Sequence, residues 1–194
     1  MDLDNSKTNK YQAVMGLKKL LRDRNKNIIR KWQEAIFQLY PADSVRFLTS
    51  VSNQFANPVG YSIREHTEKL YNELIAEGEI SAEKIGPVLD EILRIMAIQD
   101  FKPSGALRYL YILKEVITRE LSEAAEPGND LHYELIKLYG RIDEISLIAF
   151  DIYLKCREKL FEIKVDTAKN QVSGLLRRSD LICEVPEWQP AEKE

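Results

Sequence analysis

From Leu131 to Arg177 the chain contains no proline and only two glycines, Gly140 and Gly174. No other feature restricts the fold as strongly, because proline and glycine are the usual punctuation of helical sequences. A single helix over this stretch is about 45 residues and about 70 Å long at 1.5 Å per residue. That exceeds the diameter of one domain of this size, so its two halves must be covered differently. The first half carries Leu131, Leu135, Leu138, Ile142, Ile145 and Ala149, enough apolar surface to pack on other helices. In the second half Phe161, Val165, Ala168, Val172 and Leu175 recur at spacings of four, three, four and three. This narrow seam is of the coiled-coil type and predicts the stalk of a homodimer. The same spacing fits a core helix folded back on its own chain, and so short a seam leaves both open.

The rest of the chain parses into helices between the same punctuation marks, giving five or six in all. Val14, Leu17, Leu21, Ile28, Trp32, Ile36 and Leu39 share one face of a first helix from about Tyr11 to Tyr40, closed by Pro41. A short second helix from about Asp43 to Phe55 stops at Asn57-Pro58-Val59-Gly60, where proline and glycine favour a turn. A third covers Ser62 to Ala76. Ser81 is the expected N-cap of a fourth, with Pro87 in its first turns or splitting it. After the break at Gln99–Ser104, Ser104 is placed to cap a strongly apolar fifth helix from about Gly105 to Ala124. The expected architecture is therefore all-α: a single helical-bundle domain over residues 11–178 with a long C-terminal helix, a disordered N-terminus over 1–10, and an irregular tail over 179–194.

Charge and composition narrow the partners. The 28 basic and 31 acidic residues leave a net charge of −3, without the positive field that gathers nucleic acid. The first ten residues are polar, and no apolar run approaches the roughly 18 residues of a membrane span, so neither export nor membrane insertion is expected. The two cysteines, Cys156 and Cys183, lie far apart outside any CxxC pattern, arguing against a disulfide framework or zinc site and for a reducing cytoplasm.

The residues that carry chemistry in enzymes are sparse. His66 and His132 are the only histidines, and no Glu-x-x-His or His-x-x-x-His spacing surrounds them. His66, in the charged stretch Arg64-Glu65-His66-Thr67-Glu68, reads as a solvated side chain and is the one candidate for a haem ligand. There is no Gly-x-Ser-x-Gly elbow, phosphate loop or dinucleotide turn. Cys156 lies beside Lys155 and Arg157, cations able to lower a thiol pKa, although a structural cysteine is the commoner reading. No catalytic residue, metal or cofactor is expected.

Polar residues set in apolar helices form the remaining candidate site. Arg64, Arg94, Gln99, Asp100, Lys114, Glu115, Asp151 and Arg157 are grouped as an expected interhelical polar network or pocket, since a buried charge must find a partner. Each taken singly also fits the solvent face of an amphipathic helix.

Five segments carry a family resemblance: Arg46-Phe47, Phe55-Ala56-Asn57-Pro58-Val59-Gly60, IMAIQDFKPS over Ile95 to Ser104, LKEVI over Leu113 to Ile117, and AFDIYLKCREKL over Ala149 to Leu160. Together they resemble the RsbRD N-terminal domain family, named for co-antagonists of the bacterial stress-response kinase RsbT, over roughly residues 15 to 178. The resemblance implies a helical input domain in stand-alone form. The related RsbR input domains are haem-free, globin-like dimers whose last helix leads into an output domain. No catalytic residue comes with the resemblance, and the matching positions Asn57, Pro58, Gly60, Arg64, Gln99, Asp100, Phe101, Pro103 and Glu115 serve folding as readily as signalling.

The function expected is that of a non-catalytic regulatory sensor domain, cytoplasmic and dimeric, acting through an unidentified signalling protein and open to a small-molecule effector. The alternatives are a helical small-molecule or cofactor carrier and an assembly subunit of a larger complex.

Overall fold

The computed structural model describes residues 16–50, 53–124 and 132–178, all of them in helices and the turns between them. The expectations for residues 1–10 and for the tail from 179 fall outside the described residues. Helix α1 covers 16–23, followed by α2 (Asn25–Phe37), α3 (Ala42–Ser50), α4 (Pro58–Ile75), α5 (Ala82–Ile98), α6 (Pro103–Ala124) and α7 (His132–Arg178). Among the described residues there are no strands. The chain divides into two compact units at Cys156 and Arg157, and α7, 47 residues long, belongs to both.

In the first unit α2 touches α3, α4 and α6, while α5 packs on α4 and α6. Its inward stripe, Ile28, Trp32 and Ile36, recurs every four residues and is fully buried. The Trp32 indole N–H donates to the Tyr109 carbonyl of α6 at 2.7 Å, and the two rings stack with centroids 6.1 Å apart. Leu138, Ile142, Ile145, Ala149 and Tyr153 form the buried face of α7 within this unit.

Several boundaries differ from those expected, each for a local reason. The first expected helix is interrupted at Arg24, which sits outside helical geometry at φ −98° and ψ 2°. Between Leu21 and Ile28 the chain has six polar residues and no apolar anchor to hold a continuous helix against the body. Pro58 and Pro103 do not end structure but begin it, occupying the first position of α4 and α6, where the missing N–H costs nothing. Ser104 therefore lies inside α6 rather than capping it. Ser81 does sit at the N-cap of α5 but makes no capping hydrogen bond, and Pro87 is accommodated within that helix without splitting it.

Candidate functional site

The region that gathers most unusual local chemistry lies where α3, the start of α4 and the α5–α6 turn meet. Asn57, fully buried, joins two helix ends at once. Its Oδ1 accepts from the Gly60 N–H at 2.9 Å, capping α4, while its Nδ2 donates to the Leu48 carbonyl of α3 at 3.0 Å. Arg64, one turn further along α4, donates to the same Leu48 carbonyl at 2.7 Å and lies over the Phe37 ring at 5.0 Å. Two side chains of α4 thus converge on one carbonyl of α3. A Cβ on Gly60 would lie 2.3 Å from Asn57 Nδ2, so only glycine leaves room for this cap. Asn57→Ala is expected to lower stability by about 2 kcal/mol, from a lost cap and a lost inter-helix bond. Gly60→Ala should match it, and thermal unfolding followed by circular dichroism compares the two.

The α5–α6 turn is built by a Schellman motif. The Asp100 N–H donates to Ala97 O and the Phe101 N–H to Met96 O, both at 3.1 Å, with Asp100 left-handed at φ 59° in the position glycine usually takes. This fold-back lays Phe101 edge-on against Tyr40, centroids 5.2 Å apart, and Tyr153 of α7 donates to the Phe101 carbonyl.

Between these elements lies a cleft of about 480 Å³, lined by Tyr40, Asp43, Ser44, Phe47, Leu48, Asn57, Pro58, Val59 and Gln99. Tyr40 is only 8% exposed, and its buried hydroxyl has no hydrogen-bond partner among the described residues. Burial pushes its pKa up to about 12, and leaving such a hydroxyl unmatched costs about 1–3 kcal/mol. A second hollow of about 470 Å³ lies among Leu17, Leu21, Leu74 and Leu138. Its charges are already matched: Lys18 to Glu77, Lys137 to Glu134, and Arg141 to the carbonyls of Leu74, in the last turn of α4, and of Gly78 in the turn after it.

The expected polar network is not assembled in one place. Arg64 and Gln99 lie at the α3–α4 corner just described, and Asp100 forms the turn beside Gln99. Arg94 pairs instead with Asp90 on its own helix, and Lys114 with Asp143 across α6 and α7. Glu115 and Asp151 are exposed, and Arg157 lies in the second unit. Cys156 departs from the low pKa that its basic neighbours suggested. Burial first, then Asp90 Oδ1 at 3.6 Å from its Sγ, push the thiol up, outweighing Arg94. His66 turns its Nδ1 to the Ser62 carbonyl of its own helix at 2.8 Å. Among the described residues no three His, Cys, Asp or Glu side chains come together as a metal site.

The seam residues of α7 lie at the surface. Phe161 is 68% exposed, Val172 54% and Leu175 63%, Ala168 is exposed, and Val165 is intermediate. In the first unit, Leu147, Phe150 and Leu154 of the same helix are exposed at spacings of three and four.

The sequence matches the family model described as the RsbT co-antagonist protein rsbRD N-terminal domain over residues 26–164, well over half of the chain. The chain belongs to the RsbRD N-terminal domain family. This is a regulatory family of the partner-switching stress response and not a catalytic one. An uncharacterized protein of Archaeoglobus fulgidus is 25% identical over 141 residues, 72% of this chain and 82% of its own. No solved structure matches. Among the described residues no helix is long and apolar enough to cross a membrane. Three of the five segments that carry the RsbRD resemblance, around Phe47, Asn57 and Gln99, meet at the 480 Å³ cleft.

Side chains that organise the body had no local signature. Arg141, Asn27 and Glu120 act across 67 and 93 residues of sequence, on Leu74 and on one another. Their only trace is spacing: Val116, Ile117, Glu120 and Leu121 share one helical face, so Glu120 sits on a buried stripe.

Proposed function

We propose that this chain is a cytoplasmic regulatory input domain that works by association, two copies joining along Phe161, Val165, Ala168, Val172 and Leu175 of α7. The observation that carries it is the exposure of large apolar side chains at heptad spacing, most of all Phe161 and Leu175. Water-facing residues of that size at alternating three- and four-residue intervals are the pattern by which helices pair. The exposed Leu147, Phe150 and Leu154 offer a second apolar stripe to a signalling protein.

Light scattering coupled to gel filtration on the full chain tests this. The unaltered chain is expected to elute as a dimer and Val165→Asp/Val172→Asp as a monomer of unchanged helix content. Like charges placed in a heptad seam oppose each other across the axis. A monomeric parent, or a variant that stays dimeric, overturns the assignment.

A further inference from the structure

We propose that the outer face of α7 in the first unit docks an amphipathic helix of another protein, one whose apolar row is flanked by lysine or arginine. This rests on the reading of that stripe as the one offered to a signalling protein, and it needs nothing from the seam of Phe161 to Leu175.

Three observations converge on this face. The first is its row of large apolar side chains: Ile136 is 53% exposed, Leu147 71%, Phe150 41% and Leu154 38%. With Gly140 they stand at spacings of four, seven, three and four, one stripe along one helix. Exposed apolar stripes mark protein contacts, and an amphipathic helix meets them with anchors at the same intervals. Tyr111 of α6, also exposed, borders the row: Lys114 lies over its ring at 5.8 Å and pairs with Asp143 of α7.

The second is Gly140 itself. Glycine inside a helix weakens it relative to alanine. Yet Gly140 has ordinary helical backbone, lies exposed, and a Cβ built on it would meet nothing within 4 Å. The described fold has no use for a missing side chain at that point. Between Ile136 and Leu147 it leaves room for a second helix to come close, because the side chains at a contact set the distance between helix axes.

The third is charge, which selects the occupant. Every charged side chain three or four residues from Leu147 is a carboxylate: Asp143, Glu144 and Asp151. Lys114 matches Asp143, whereas Glu144 and Asp151 are exposed and have no ion-pair partner among the described residues. Of the cations of α7 in this unit, Lys137 is paired with Glu134, Arg141 holds backbone carbonyls, and Lys155 lies past the end of the row. On α6, Arg108 and Glu115 stand three residues before and four after Tyr111 and offset one another. Unmatched negative charge beside Leu147 is complementary to a basic helix. A second copy presenting the same face adds two more unmatched carboxylates to the contact.

The test uses the full chain and two fluorescein-labelled peptides of about 18 residues, long enough to form a helix. Both carry leucines at three- and four-residue spacing; one has lysines beside them and the other glutamates. By fluorescence anisotropy the lysine peptide should bind saturably at one site per chain, and the glutamate peptide about tenfold more weakly. Glu144→Lys/Asp151→Lys should reverse that preference. Gly140→Leu should raise the melting temperature of the free chain and still weaken the lysine peptide about tenfold, a combination that a merely structural glycine does not give. Val165→Asp/Val172→Asp should bind like the parent; loss of binding there puts the peptide on the seam and overturns the proposal. Preference for the glutamate peptide overturns it too, while leaving the stripe a docking surface. So does lysine-peptide binding indifferent to both Glu144→Lys/Asp151→Lys and Gly140→Leu. Binding of neither peptide also overturns it, and a lower mass of Leu147→Ser/Phe150→Ser in light scattering then shows that a second copy covers the face.

Discussion

Trp32→Ala is expected to cost about 4 kcal/mol of folding free energy, within the 3–5 kcal/mol typical of emptying a buried aromatic site. The indole is fully buried in α2, with Ile28 and Ile36 one turn away on either side. It also lies flat against Tyr109, so truncation removes an aromatic pair as well as area. For a chain of this length such a loss lowers the melting temperature by roughly 10 °C, and it removes a large part of the 5–15 kcal/mol that holds a domain folded. Trp32→Phe separates the contributions. It keeps a ring in the cavity and loses only volume and the indole N–H, whose acceptor, the Tyr109 carbonyl, lies inside α6. It should cost about 1–2 kcal/mol. Urea unfolding followed by far-ultraviolet circular dichroism measures both; equal losses in the two variants would show that the hydrogen bond and not the packing dominates.

That such a core exists is legible from the apolar spacing alone, since Ile28, Trp32 and Ile36 all point inward as predicted. The last helix is equally legible, because nothing between His132 and Arg178 interrupts it. Less visible is the role of a proline. Asn57-Pro58 and Lys102-Pro103 read as stops because proline disfavours helix in the residue before it. The same fact makes proline a good first residue, and only the tertiary position of Asn57 under α3 decides which applies. The polar residues show a similar limit. Arg64, grouped in sequence with other polar side chains, donates to the backbone carbonyls of Leu48 and Thr49 in α3. Side-chain patterns carry no record of which carbonyls a neighbouring helix leaves free. Tyr40 has the opposite problem: that its hydroxyl meets no partner among the described residues is visible only once its surroundings are known.

Replacing both Lys31 and Arg24 by methionine is expected to destabilise the chain by about 3 kcal/mol at neutral pH, far more than Glu120→Gln. The Glu120 side chain has no exposed surface, while its partners Lys31 and Arg24 are each still partly exposed. Lys31 pairs directly with its carboxylate, Arg24 approaches to 3.7 Å, and Asn27 Nδ2 donates to both oxygens at 3.1 and 3.2 Å. Of these, the Lys31 hydrogen bond does most to hold the carboxyl below the usual carboxylate range. Methionine keeps an unbranched chain of similar length and removes the charge, so the carboxylate keeps its Asn27 hydrogen bonds but loses both cations. Glu120→Gln leaves two cations that are exposed enough to turn to solvent, which is why its cost is smaller, about 1 kcal/mol.

The pH dependence then reverses sign. In the unaltered chain the lowered pKa means that Glu120 contributes stability above the ordinary carboxylate value, and this is lost as pH falls through the lower, folded value. In the double variant, desolvation without cations raises the pKa instead, so protonation on acidification relieves the penalty. The stability gap between the two chains should therefore shrink steadily from pH 7 toward pH 4. A gap that stays constant over that range would place the destabilisation in lost packing of the two side-chain stems rather than in the stranded charge.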